Sequence, residues 1–188
     1  MPISKLLQKL IRIHDKHFVP FLSASQIDSA VAKMAQEIAD DIDEEVPIFI
    51  GVLNGSFMVV SDLMKHYKKP CELSFIKLSS YQGTSSTGKI NQLIGLGIEV
   101  KNRTVIIIED IVDTGNTLVA LKKLFEEQQV KQLKIATLFF KPEAYTKDIP
   151  IDYIGMEIPN KFIVGYGLDY DEQGRNLPEV YQLSTDNK

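Results

Sequence analysis

Cysteine is almost absent. Cys71 stands alone among 188 residues, which excludes an internal disulfide framework and any cysteine-based zinc site, and fits a reducing compartment. Histidine is nearly as scarce, and His14, His17 and His66 form no cluster, so no catalytic role falls to them. No apolar run approaches the ~18 residues of a membrane span. The stretch from Met1 to His17 alternates Leu and Ile with Lys, Gln, Arg and His, and lacks the apolar segment and cleavage site of a signal peptide. Without such a signal, the glycosylation-type tripeptides Asn54-Gly55-Ser56 and Asn102-Arg103-Thr104 read as coincidence. Basic excess is missing too: Lys+Arg 21 against Asp+Glu 25 gives a net charge of −4, without the footprint of a nucleic-acid binder. A cytoplasmic chain with neither nucleic acid nor membrane as partner is the expectation.

A hydrophobic fraction of 44% with 24% charged residues is that of an ordinary globular protein. At this length roughly 70% of the unfolded surface should be buried, enough for one core. No repeat, low-complexity tract or long linker divides the chain, so 1–188 reads as a single domain. Ile27, Val31, Met34, Ile38 and Ile42 recur at helical steps and predict a helix over Ser25–Ile42, with Ser25 as its cap. Ile48–Leu53 is almost wholly apolar, the signature of a strand covered on both faces, and Thr104–Ile108, continuing to Asp110, is the most hydrophobic strand in the chain. Helical stretches follow each, Phe57–Tyr67 and the stripe Leu118, Leu121, Leu124 and Phe125. Further strands are expected at Cys71–Leu78 (with Leu73 and Phe75 on one face), Leu93–Val100, Leu133–Phe140 and Ile151–Ile158. The acidic run Asp40-Asp41 and Asp43-Glu44-Glu45 reads as a solvated helix end. This alternation predicts an open, mostly parallel twisted α/β sheet with helices on both faces, and a ligand site at the carboxyl ends of its strands. The termini lack the alternation and are expected to form a small hood, with the core over about 25–158 and the hood from about 1–24 and 159–188.

The chemistry concentrates in Val105–Thr117, VIIIEDIVDTGNT. A buried strand leads to Glu109 and Asp110 at its exit, Asp113 follows, and the chain turns through Thr114-Gly115 into a helix. Backbone N–H groups of such a turn and of the first helical turn converge on one concavity that favours an anion. The Thr114 and Thr117 hydroxyls add donors, and Gly115 permits close approach or a positive φ. Glu109 and Asp110 would repel phosphate and suit hydroxyls or a metal-bound sugar. Donors on one side and carboxylates on the other fit a phosphorylated sugar with free hydroxyls. The polar Ser79–Lys89 segment is too long and too rich in Ser, Thr and Gly for an idle connection.

This block resembles the phosphoribosyl-diphosphate signature of the type I phosphoribosyltransferases. Val52-Leu53-Asn54-Gly55 resembles their pyrophosphate loop, Leu78-Ser79-Ser80-Tyr81 the start of the mobile active-site loop, and Leu138-Phe139-Phe140-Lys141 the base-reading lysine segment. Glu157–Tyr170 is similar to the purine hood of the hypoxanthine-guanine branch. The likeness runs from about Ile13 to Leu183. It implies transfer of a 5-phosphoribosyl group from its 1-diphosphate to N9 of a 6-oxopurine, with Mg2+ as cofactor. Under it Asp113, Thr114, Gly115, Asn116 and Thr117 cradle the 5′-phosphate, and Glu109 and Asp110 hold the ribose hydroxyls. Asn54, Gly55 and Arg175 meet the pyrophosphate. Asp113 doubles as general base, Lys141 donates to O6, Phe162 stacks on the purine and Ile163 reads its edge through the backbone. Ser80 and Tyr81 close over the site. Asp169, with Glu109 and Asp110, serves the metal. The resemblance also implies a homodimer or homotetramer, and a non-proline cis peptide at Leu53–Asn54. One departure is Asn54 itself, where most of the family carries lysine: asparagine donates a hydrogen bond but no charge.

Two rivals differ on residues. An aspartyl phosphotransferase needs Asp-x-Asp, whereas Asp110 and Asp113 are separated by two residues. A regulator that kept only the phosphosugar cradle would not need Lys141, Phe162 and Asp169 together.

Overall fold

Alternate residues of the central strands face opposite sides, and each side has its own core. The computed structural model describes residues 10–42, 46–79 and 91–185. In chain order the elements are β1 (Ile11–Ile13), β2 (Lys16–Leu22), α1 (Ala24–Asp41), β3 (Ile48–Leu53), α2 (Phe57–His66), β4 (Glu72–Ser79) and β5 (Asn91–Ile94). They continue with β6 (Thr104–Val112), α3 (Asn116–Glu127), β7 (Gln132–Phe140), β8 (Tyr153–Glu157), β9 (Ile163–Val164) and β10 (Val180–Leu183). The main sheet runs β5-β4-β3-β6-β7-β8, parallel throughout except for β5, which lies antiparallel on the edge of β4.

Phe49, Ile106 and Ile108 pack under α1 and α2, while Ile48, Ile50, Val105 and Ile107 pack under α3. Strands buried on both faces can be apolar at every position, which is why the runs of isoleucine and valine read so plainly. The expected helices on both faces of a parallel sheet are therefore present.

A second sheet, β1-β2-β10-β9, is assembled from the two ends of the chain. Phe18, Val164 and Tyr181 form a small core inside it. No helix among the described residues is long and apolar enough to cross a membrane.

Several boundaries differ from expectation. The cap of α1 is Ser23 and not Ser25: Ser23 Oγ accepts from the backbone of Gln26, whose side chain accepts from the Ser23 N–H in return. That reciprocal pair needs a Gln or Glu three residues on, which Ser23 has and Ser25 lacks. Leu73 is exposed, and Ile76 is the fully buried residue of β4. The edge strand is Asn91–Ile94, ahead of most of the expected Leu93–Val100. Most consequentially, β6 does not end with Asp110 but runs on to Val112, which places both acids inside the strand.

Candidate active site

The extension of β6 creates the site. β3 accompanies β6 only from Ile48↔Val105 to Gly51↔Ile108, whereas β7 stays paired to it as far as Val112↔Phe140. Beyond Ile108 the sheet is therefore open on the β3 side. From β3 the chain proceeds through α2 to β4 on one flank, and from β6 through α3 to β7 on the other. Such a reversal of strand order leaves a crevice at the carboxyl ends of the two strands. A cavity of about 430 Å³ lies there, lined by Leu53, Asn54, Gly55, Glu109, Asp110, Asn116 and Thr117, among others.

Glu109 is buried and Asp110 partly so. Removal from water, followed by the neighbouring Asp110 charge, pushes the Glu109 carboxyl well above the ordinary range. Burial raises Asp110 to about 6; backbone hydrogen bonds and Arg175 oppose the rise, and Asp169 adds to it. Among the described residues neither acid has a salt-bridging cation. The Asp110 carboxylate presses against the Cα of Gly55, where any side chain would collide with it. The peptide bond Leu53–Asn54 is cis, as the resemblance implied, and Asn54 is exposed on the pocket rim.

Past β6, Gly115 is the N-cap of α3 with φ 81° and no side chain caps the helix, so Asp113 is not spent on that task. Lys141, buried at the end of β7, donates to Asp113 Oδ2 at 2.8 Å. Its backbone N–H also bonds Val112 O at 3.0 Å, which fixes the start of the loop carrying Lys141 to the end of β6. Thr146 Oγ1 reaches Thr114 O at 3.4 Å from behind the turn.

Arg175 and Asp169 form a separate pair on the tail, 2.7 Å apart. Asp169 Oδ2 also accepts from the Glu172 N–H at 2.9 Å, and Arg175 Nη1 donates to Gly167 O at 2.9 Å. Phe162 and Ile163 lie outside the cavity lining. Ile163 is buried in β9, while Phe162 is 45% exposed, tilted against Phe18 and edge-on to Tyr170. Lys16 Nζ sits 4.3 Å from the Tyr170 ring centroid and 5.7 Å from that of Phe162. Sequence reasoning missed this supporting cluster, since Lys16 and Phe18 are far from Phe162 along the chain. Ser80 and Tyr81 lie outside the described residues.

Among the described residues no three His, Cys, Asp or Glu side chains converge on one point. A magnesium ion does not require that, because it keeps several waters and takes substrate oxygens with only one or two carboxylates. Two uncompensated acids and a third on the facing tail are a donor set that fits it.

The parallel α/β sheet with a phosphate-type turn after an acidic strand is the frame of the phosphoribosyl transferase domain family, and the chain belongs to it: residues 23–171 match that family. Within that class it is 43% identical over 159 residues to the hypoxanthine-guanine phosphoribosyltransferase of Streptococcus pyogenes serotype M3, covering 84% of this chain and 88% of that one. A solved hypoxanthine-guanine phosphoribosyltransferase from Bacillus anthracis superposes with a TM-score of 0.81 at 38% identity, covering 88% of this chain and 96% of the other. The hypoxanthine phosphoribosyltransferase of Trypanosoma cruzi in complex with the product IMP gives 0.83 at 31% identity, over 93% and 98% of the two chains.

Proposed function

We propose that this chain is a cytoplasmic, magnesium-dependent purine salvage enzyme that transfers 5-phosphoribosyl from phosphoribosyl diphosphate to N9 of hypoxanthine or guanine, giving IMP or GMP and pyrophosphate. The observation that carries the reading is the open crevice beside β6, where two acids without cations face a helix N-terminus, in a chain 43% identical to a named enzyme of that activity.

In this reading the Thr114–Thr117 backbone and hydroxyls grip the 5′-phosphate, and Asp113 borders the cradle. Glu109 and Asp110 accept from the ribose hydroxyls. Their raised proton affinities mean that a ligand bringing donors or positive charge relieves the cost of burying them. Asn54, Gly55 and Arg175 take the pyrophosphate. Asp169, Glu109 and Asp110 are the residues that would hold Mg2+, which would supply positive charge to the departing diphosphate.

The developing cation on the ribose calls for fixed negative groups, which the pair on β6 provides, and for exclusion of water. Asp113 accepts the purine proton as general base, and Lys141 donates to O6. Adenine presents an amino group there, and two donors facing one another bind poorly. The 2.8 Å contact between Lys141 and Asp113 supports this division, because one purine edge then meets a donor and an acceptor side by side. Phe162 offers its exposed face for stacking, Ile163 its backbone, and the second sheet serves as the hood. The assembly is a homodimer or homotetramer.

The test is to combine the protein with phosphoribosyl diphosphate, magnesium and, separately, hypoxanthine, guanine, xanthine and adenine, following nucleotide formation. Turnover with hypoxanthine or guanine and not adenine is expected. No turnover with any 6-oxopurine would remove the assignment.

A further inference from the structure

Arg175 lies in the tail between β9 and β10 and Asn54–Gly55 in the turn after β3, so something must fix the distance between them. Gly167, on the tail, donates its N–H to Arg175 O at 3.0 Å and accepts from Arg175 Nη1 at 2.9 Å. The same glycine, at φ 96°, lays its bare Cα on the carbonyl oxygen of Gly55, where a side chain could not fit. One residue thus touches both walls of the pyrophosphate subsite.

Its neighbour Tyr166 is buried and holds a left-handed φ of 50°, unusual for an aromatic residue. Its N–H is bonded to Leu177 O at 2.8 Å, and its hydroxyl donates to Asp62 Oδ2 at 2.6 Å, 104 residues away on α2. α2 begins immediately after the pyrophosphate loop, with Ser56 as its N-cap. Asp62 is held in turn by Lys65 Nζ at 2.7 Å on its other oxygen. Burial and the Asp62 carboxylate push the Tyr166 phenol above its ordinary range, which keeps it a donor.

We infer that the Tyr166–Asp62 hydrogen bond is a positioning strut that sets the gap between the tail and the pyrophosphate loop, so that Arg175 and Gly55 grip one leaving group together. The inference rests on the site reading given above and names a residue pair that acts on it from outside. Without the hydroxyl the ring still fills its place in the core, but the Gly167 turn loses its tie to α2. The two walls then drift in relation to each other, and the ligand that spans them binds less tightly. The purine, which this reading places on Lys141, Phe162 and Ile163, does not span that gap.

The test uses the full chain. Tyr166→Phe should weaken pyrophosphate binding, followed calorimetrically with magnesium, and raise the KM for phosphoribosyl diphosphate about tenfold, the size of one charge-assisted hydrogen bond only partly transmitted. The KM for hypoxanthine should move less than about twofold, since its contacts are spared. Asp62→Ala should reproduce this pattern and add little to Tyr166→Phe in the double variant, whereas Asp62→Asn, whose amide oxygen still accepts, should restore most of the affinity. A wild-type protein that binds pyrophosphate and a Tyr166→Phe variant that binds it equally would overturn the strut alone. So would parallel increases in every KM with a lower Tm, the mark of a merely structural role. A wild type that binds no pyrophosphate would overturn the site reading and the strut with it.

Discussion

The acids on the strand and the acids on the loops are in opposite electrostatic states. Glu109 and Asp110, within β6, lack a salt-bridging cation among the described residues and are pushed up by burial. Asp113 and Asp169, on the segments that follow, each have a cation of their own: Lys141 at 2.8 Å and Arg175 at 2.7 Å. The strand pair therefore waits for charge that a ligand must bring, whereas the loop pairs arrive already neutralised and must exchange partners to act. A rigid strand can hold uncompensated acids because its ladder to β7 does not depend on them. A loop has no such ladder, and its ion pairs help to place it.

The sharpest way to break this comparison is Asp113→Asn. If the loop acid moves a proton, turnover should fall by about 10²- to 10⁴-fold, while binding of phosphoribosyl diphosphate stays measurable by calorimetry. Unchanged turnover would place the general base elsewhere. Lys141→Met should come next, lowering kcat/KM for hypoxanthine by about 10- to 100-fold, as loss of a charged hydrogen bond would. It should also narrow the preference over adenine in competition assays.

Asp110→Asn should act in the opposite sense on stability. The native carboxyl at about 6 lies above its ordinary value of 3.8. Folding therefore favours the protonated form, and the wild type loses stability as pH rises through that window. The ligand-free variant should accordingly be more stable by about 1–3 kcal/mol at pH 7.5, with no advantage at pH 4, as read by urea unfolding. Its binding of phosphoribosyl diphosphate should weaken in the same preparations. Gly115→Ala comes last, with a loss of about 1–3 kcal/mol from the left-handed turn and from crowding the Tyr145 ring, visible as a lower Tm.

Much of the main sheet was legible because doubly covered strands announce themselves as unbroken apolar runs, as Ile48–Leu53 does. The last two residues of β6 were not, since a pair of acids looks like a strand's exit. Only the pairing with β7, continuing to Val112↔Phe140, shows that they are inside it. The cap of α1 was misplaced by two residues between similar serines, and Gln26 was the overlooked signal. The block Asp113–Thr117 is contiguous and could be read as a unit. Pairings such as Lys141 with Asp113, or Tyr166 with Asp62, join positions 28 and 104 residues apart and leave no local trace in the sequence.

In the second sheet β10 lies between β2 and β9, bonded to both. A ribosome must therefore have passed Val180–Leu183 before this sheet can zip together, long after the parallel strands have emerged. A nascent chain stalled before Val180 would carry Glu109, Asp110 and Asp113 but leave β2 and β9 without the strand that joins them.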